Sequence, residues 1–247
     1  YEIYKSEFKK KIENIYLLIR IYEVKNREVG QAIARFTNTQ NPVKNRDIMS
    51  NDQVQVKLQK ELLREKFYYE RKKYEFRDQG IKINQKIDAE KIGQAIMAFY
   101  LEKPGSAKNK KQEIFGDYYA DVFSEDKINA EYVLVPYLIH KKIDQDIKKF
   151  LAKVKKLERE KKEAELKKLL QKDEFLGHAH YYLLFVLRML AQEKNLSLER
   201  KNISEIFKSY NKAKNILRDI VDSKKNDPKF SLPHIFKSDD LAKEIKI

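Results

Sequence analysis

Residues 181–193 read Tyr-Tyr-Leu-Leu-Phe-Val-Leu-Arg-Met-Leu-Ala-Gln-Glu, apolar around nearly the whole of a helical wheel. A helix that offers water no face belongs in an interior, so this stretch reads as the central buried helix of a bundle. It is the longest apolar run of the chain. It still falls short of the roughly 20 consecutive apolar residues that a membrane-spanning helix requires.

On its C-terminal side, Asn202-Ile203-Ser204-Glu205 has the form of a helix start. Ile206, Phe207, Tyr210, Ala213, Leu217 and Ile220 then make one apolar stripe. After Asp227-Pro228 the periodicity stops, and the tail reads as loosely ordered. On its N-terminal side, Ile143, Ile147, Phe150, Val154 and Leu157 keep a spacing of three or four residues. They define a long surface helix running to about Lys172. Lys141 through Lys172 holds 13 basic and 6 acidic side chains, a difference of +7. Such a helix can be simply solvated, lie along a phosphate backbone, or use its nearly heptad stripe as a coiled-coil arm. Asn129 to His140 starts a further helix, with Pro136 a source of a kink near its first turns.

The front of the chain has another character. Tyr16 to Val24 is rich in β-branched and aromatic residues and reads as a strand. From an Asn26 cap, Val29, Ile33, Ala34 and Phe36 then recur at helical spacing up to Asn41-Pro42. Ser50-Asn51-Asp52-Gln53 has the form of a capping box with Ser50 as cap, ahead of Val54, Leu58 and Leu62. Phe67–Phe76 and Ile81–Ile83 read as two strand-like pieces around the turn at Gly80. Ile92, Ala95, Ile96 and Phe99 mark a helix from Asp88. Lys103–Lys111 reads as a basic exposed loop, and Ile114–Phe123 as a short helix. The expected fold is therefore α+β and predominantly α-helical: a small strand-containing front half, residues 1–127, followed by a helical bundle with a basic surface helix, residues 128–247.

The chain has 247 residues, of which 42% are hydrophobic, enough to fill a core without staples. It contains no cysteine, which excludes disulfides, thiolate metal sites and a cysteine nucleophile, and fits a reducing compartment such as the cytoplasm. The net charge of +15 points to an anionic partner such as DNA or RNA. An AT-rich coding bias towards Lys, Asn, Ile and Tyr produces the same excess. The chain opens without an initiator methionine or an apolar leader, and reads as part of a longer protein.

Two segments carry groups suited to nucleic acid. Asn38, Gln40 and Asn41 offer amide donors and acceptors for base edges, and Lys44 and Arg46 stand close by for phosphate. The same amides can instead cap the helix and pin the loop before Pro42. Tyr68, Tyr69 and Arg71 interleave rings and charge with Glu70 and Lys72. Glu70-x-Lys72 with upstream Asp47 has the order of a restriction-type nuclease site, in which carboxylates hold Mg²⁺. Apart from that reading no cofactor and no metal site is evident. His178 and His180 point about 200° apart on a helix. His140 and His234 have no carboxylate partner at ligand spacing.

A series of ordered landmarks connects these pieces. Ile33-Ala34-Arg35-Phe36-Thr37-Asn38-Thr39-Gln40-Asn41-Pro42-Val43 is followed by Asp47, by Ser50 to Gln53 and by Phe67-Tyr68-Tyr69-Glu70-Arg71-Lys72. Next come Lys91-Ile92-Gly93-Gln94-Ala95, Lys103-Pro104-Gly105 and Ile114-Phe115-Gly116-Asp117-Tyr118-Tyr119. Over residues 10–125 this order resembles the C-terminal portion of the AIPR (abortive infection, phage resistance) family. Its members carry a longer upstream region with an Asn-Gly-x-Gln-Thr type element. The resemblance implies a role in bacterial anti-phage defence, and the side chains of the two segments above add the expectation that the protein senses or acts on nucleic acid. The alternative is a non-enzymatic helical module that self-associates or docks a partner protein in a defence complex.

Overall fold

The computed structural model describes residues 19, 21, 23–30, 33, 44–77, 79–228 and 230–245. The chain divides into two compact units, Tyr1–Val43 and Lys44–Ile247. In the first, residues 27–30 are helical and the Asn26 side chain accepts from the Glu28 amide at 2.8 Å, the expected cap. Most of the strand expected at Tyr16–Val24, and Asn38, Gln40 and Asn41, lie outside the described residues.

The second unit is built around three helices, α3, α6 and α8 of the following series. α1 is Asn45–Met49, α2 Gln53–Arg64, β1 Tyr68–Glu70, β2 Lys86–Asp88, α3 Ala89–Phe99 and α4 Pro104–Asn109. α5 is Tyr119–Val122, α6 Ala130–Arg159, α7 Glu163–Asp173, α8 His180–Glu193, α9 Ile203–Lys208 and α10 Tyr210–Lys224. α11, Leu232–Ile235, and α12, Asp240–Glu244, close the described chain. The apolar run at 181–193 is indeed the interior helix: Leu183, Leu184, Val186, Leu187 and Leu190 of α8 are wholly buried. α8 packs on α3, α4, α6 and α10, and α3 packs on α4 and α6.

α3 is buried almost from end to end because Ile92, Ala95, Ile96 and Phe99 leave it no polar stripe. Its start is fixed by Asp88, whose Oδ1 accepts from the amides of Glu90 at 2.9 Å and Lys91 at 3.1 Å. Gly93 is needed inside it, since a Cβ there would stand 2.4 Å from Ile114 Cγ2.

The strands pair differently from the expected pieces around Gly80. β1 and β2 run parallel, with Tyr69 opposite Ile87 and Glu70 opposite Asp88. Residues 71–77 form turns, and the second strand starts at Lys86 after a 3₁₀ turn at Ile83–Gln85. Tyr69 and Ile87 point inward with no exposed surface, which places Glu70 and Asp88 together on the opposite face.

Other expectations are corrected by local hydrogen bonds and backbone conformation. α2 is capped by Asp52, which accepts from the Val54 amide at 2.9 Å, while Ser50 turns back to donate to the Asp47 carbonyl at 2.6 Å. The basic helix does not reach Lys172 unbroken. Lys161 adopts a left-handed φ of 54°, and the Lys162 amide donates to the Leu157 carbonyl at 3.0 Å. This Schellman closure ends α6 without a glycine to announce it. α6 runs as one helix of 30 residues through Pro136, with Asn129 as its cap. The stripe after Asn202 is divided between α9 and α10 at Ser209.

Residues 103–111 are no exposed loop. Pro104, Gly105, Ser106 and Ala107 are buried in α4. The tail is ordered as well: Phe236 is wholly buried against Phe175 and Tyr182. Asp239 accepts from the amides of Gly105 at 2.7 Å and Ser106 at 3.0 Å, and from the Ser106 hydroxyl. A Cβ at Gly105 would stand 2.4 Å from the Ser238 carbonyl carbon, so only glycine lets the two backbones meet.

Candidate functional site

Of the residues singled out around 44–72, Arg46, Glu70 and Arg71 come together at the exit of β1. Arg46, from α1, spreads its guanidinium over three acceptors. Nε donates to the Arg71 carbonyl at 3.0 Å, Nη2 to the Glu70 carbonyl at 2.7 Å and Nη1 to Asp88 Oδ2 at 2.7 Å. One planar fork thus ties α1, β1 and the cap of α3 together. Arg71 donates to the Ser50 carbonyl at 2.8 Å and to Glu75 Oε1 at 3.2 Å. Glu75 also accepts from the amides of Arg71 and Lys72 and from the Gln59 side chain. Burial opposes the charge of Glu75, but the hydrogen bonds from Gln59, Lys72 and Arg71 outweigh it and hold the carboxyl below its ordinary pKa.

Arg46 and Tyr69 therefore serve the scaffold. Arg46 is buried, and Tyr69 has no exposed surface and donates its hydroxyl to Gln55 Oε1 at 2.5 Å. Burial pushes its phenol pKa well above the ordinary value. Tyr68 is half-buried, edge-on to Phe76 at 5.6 Å, and Arg71 is held as described. Asp47 and Glu70 are half-buried on α1 and β1. Among the described residues no group of three or more His, Asp or Glu side chains is placed to hold a metal ion.

What this scaffold presents outward is the turn 71–77. Lys72, Lys73 and Arg77 are exposed, as is Lys44 at the start of α1. Between the turn's cations stands Tyr74, 59% exposed, with a left-handed φ of 64°. Lys73 Nζ lies 4.9 Å and the Arg77 guanidinium 5.5 Å from its ring centroid. A non-glycine residue in this backbone region is uncommon, and here the turn's own hydrogen bonds, Glu75 amide to Lys72 carbonyl and Arg77 amide to Tyr74 carbonyl, hold it. Sequence reasoning does not single out Tyr74. The clue is the aromatic run Phe67–Phe76 itself, once the alternation of β1 has sent Tyr69 inward.

A second constellation links α6 and α8. His140 of α6 stacks on Tyr181 of α8, centroids 5.1 Å apart and planes at 11°, and its ring centroid lies 6.3 Å from that of His180. His180 Nε2 is 3.8 Å from Asp144 Oδ1, and Lys148 pairs with Asp144 Oδ2 at 2.6 Å. His140 thus has both a carboxylate and a second imidazole nearby, contrary to its isolation in the sequence. Burial, His180 and the surrounding lysines push its pKa down to about 4, against the pull of Asp144. Burial lowers His180 and His178 in the same direction.

A histidine with a lowered native pKa binds a proton more weakly than the unfolded chain does. Stability is therefore expected to fall as the pH is lowered from about 6.5, the unfolded imidazole value, towards 4. Urea unfolding at several pH values checks this. His140→Gln should flatten the decline, and an unchanged slope would show that other groups cause it.

Fold and site define a predominantly helical α+β protein whose small parallel sheet pins a cation-rich turn. The model of the AIPR protein family matches residues 1–229 of the 247, and the chain belongs to that family, which is named for abortive infection and phage resistance. No helix among the described residues is long and apolar enough to cross a membrane. No curated protein and no solved structure matches the chain.

Proposed function

We propose that this AIPR chain serves abortive infection by binding single-stranded nucleic acid at the turn 71–77. The observation that carries this reading is Tyr74, an exposed ring set among Lys72, Lys73 and Arg77 on a turn fixed from behind by Arg46, Arg71 and Glu75. Rings of this kind stack on bases of any identity, while the cations meet the phosphates. A turn held rigidly before binding loses little conformational freedom on contact.

The test is the affinity for labelled single-stranded RNA and DNA over a salt series. Stacking on one base contributes about 1–3 kcal/mol, so Tyr74→Ala is expected to weaken binding by roughly 5- to 150-fold at fixed salt. Exchanging Lys72 and Lys73 for glutamine should reduce the salt slope by about 1.4, two phosphate contacts on a single strand. Absence of binding at low salt, or Tyr74→Ala binding like the parent chain, would discard the reading.

A further inference from the structure

Resting on the reading of this face as a single-strand site, we propose that a pocket beside the turn takes one base of the strand, while a row of cations on α2 holds the phosphates next to it. A cavity of about 330 Å³ opens between the second half of α2 and the chain from Phe67 to Phe76. It stands at the lower end of small-ligand sites, about 300–1,000 Å³, a size that suits a single base. Leu63, Phe67, Tyr68 and Phe76 form its apolar walls, and Phe76 belongs to the turn that carries Tyr74. Leu63 is 53% exposed, so a large aliphatic side chain stands uncovered at the mouth. Tyr68 and Phe76 meet edge-on at 5.6 Å with planes at 75°, which offers a flat ligand both a ring face and a ring edge.

Two half-buried polar groups, Gln59 and Glu75, stand among these walls. Glu75 is fully engaged: its oxygens accept from Gln59 Nε2, from the Arg71 guanidinium and from the amides of Arg71 and Lys72. A carboxylate here disfavours phosphate inside the pocket and leaves it to the neutral ring of a base. The Gln59 amide has one possible orientation, because both partners of its Nε2, the Tyr69 carbonyl at 2.9 Å and Glu75 Oε1 at 3.0 Å, only accept. Its Oε1 accepts no hydrogen bond among the described residues and is available to an N–H of the base.

The place of the phosphates follows from charge. Lys60 borders this pocket and also a groove of about 370 Å³ along α2, which Lys57 and Arg64 line as well. Spaced three and four residues apart, the three cations share one face of the helix, and all are exposed. Among the described residues none of them is in an ion pair, whereas the acids nearby are occupied. Glu61, which also lines the groove, accepts from the Ala130 amide at 3.0 Å, and Glu65 pairs with Arg200 at 2.8 Å. An aromatic pocket and a cationic groove thus meet at Lys60, with room for the ring of a nucleotide on one side and its phosphate on the other.

The full chain with labelled leucine methyl groups, bound to a short oligoadenylate, gives the readout by nuclear magnetic resonance. Overhauser contacts are expected from adenine ring protons to the Leu63 methyls and to the Phe76 ring. Leu63→Ala, at an exposed position, keeps the fold and should weaken binding about fivefold, the share of a half-covered leucine. Replacing Lys57, Lys60 and Arg64 together by glutamine should lower the salt slope by about 2, three phosphate contacts on a single strand. Lys149→Gln with Lys153→Gln, exposed on α6, should leave that slope unchanged.

Contacts from the bases to Tyr74 but none to Leu63 would overturn the pocket and leave the turn standing. Contacts to Leu63 together with Tyr74→Ala binding like the parent chain would keep the pocket and remove the turn. An oligoadenylate that does not bind at low salt overturns both. An unchanged slope in the α2 variant, or an equal fall in the α6 variant, would overturn the phosphate row, since net charge alone would then account for the binding.

Discussion

Replacing Arg46 by methionine is expected to lower the free energy of unfolding by about 2–4 kcal/mol, one of the largest effects of any single polar substitution in this chain. Methionine keeps much of the buried stem but removes all three hydrogen bonds of the guanidinium. The carbonyls of Glu70 and Arg71 and the carboxylate of Asp88 then lose their donor together. Removing one partner from a fully buried ion pair costs about 3–5 kcal/mol, and the loss at Arg46 is smaller because Asp88 retains 28% of its side-chain exposure. Arg46→Lys should recover only a minor part, since an ammonium cannot span acceptors on three elements. Urea unfolding measures the loss, and a change below about 1 kcal/mol would mean that water replaces the fork. Hydrogen exchange supplies a second readout: the amides of Arg71 and Lys72 should exchange faster in the variant, because the turn would have lost its anchor.

Phe236→Ala is expected to destabilise the chain by about 3–5 kcal/mol, the usual loss for a buried phenylalanine whose cavity cannot collapse. The ring has no exposed surface and lies 5.4 Å from the Tyr182 ring and 6.5 Å from that of Phe175. Its removal also loosens the segment that carries Asp239 to the amides of α4, so a helix cap is weakened at the same time. Asp239→Asn separates the two effects and should cost about 1 kcal/mol through the cap alone. A loss below about 1 kcal/mol for Phe236→Ala would show that the tail contributes little to the fold.

The order of this tail is illegible in the sequence for a physical reason. Residues after Pro228 show no helical period, and periodicity is what identifies an amphipathic helix from sequence alone. Phe236 and Asp239 each act through one specific long-range contact, a kind of interaction that leaves no repeating pattern. Lys103–Lys111 misleads for the same reason. Its lysines suggest solvent, while the small residues Pro104 to Ala107 fit beneath Ser238 and Asp239. At β1 the aromatic content indicates a strand correctly, but the partner strand lies elsewhere than composition suggests. Parallel pairing with Lys86–Asp88 depends on the intervening chain returning in the same direction, which local composition does not encode.

The candidate sites divide along similar lines. Tyr68, Arg71 and Lys72 stand out by their interleaved chemistry, yet the pleat of β1 decides that Tyr69 faces the core and leaves Tyr74 as the exposed ring. The histidine pair has no signature in the sequence: His140 and His180 stand forty positions apart and meet only because α6 and α8 pack side by side. By itself the sequence determined the helical character of the chain, the interior position of residues 181–193, the helix start at Asp88 and the family. These follow from periodicity, local hydrogen bonding and the order of landmarks, all of which act over short or fixed separations. Only the tertiary structure decided which cations are bound up in the scaffold, which remain at the surface, and which imidazoles stand side by side. Those outcomes depend on burial and on contacts between distant segments, and packing creates both.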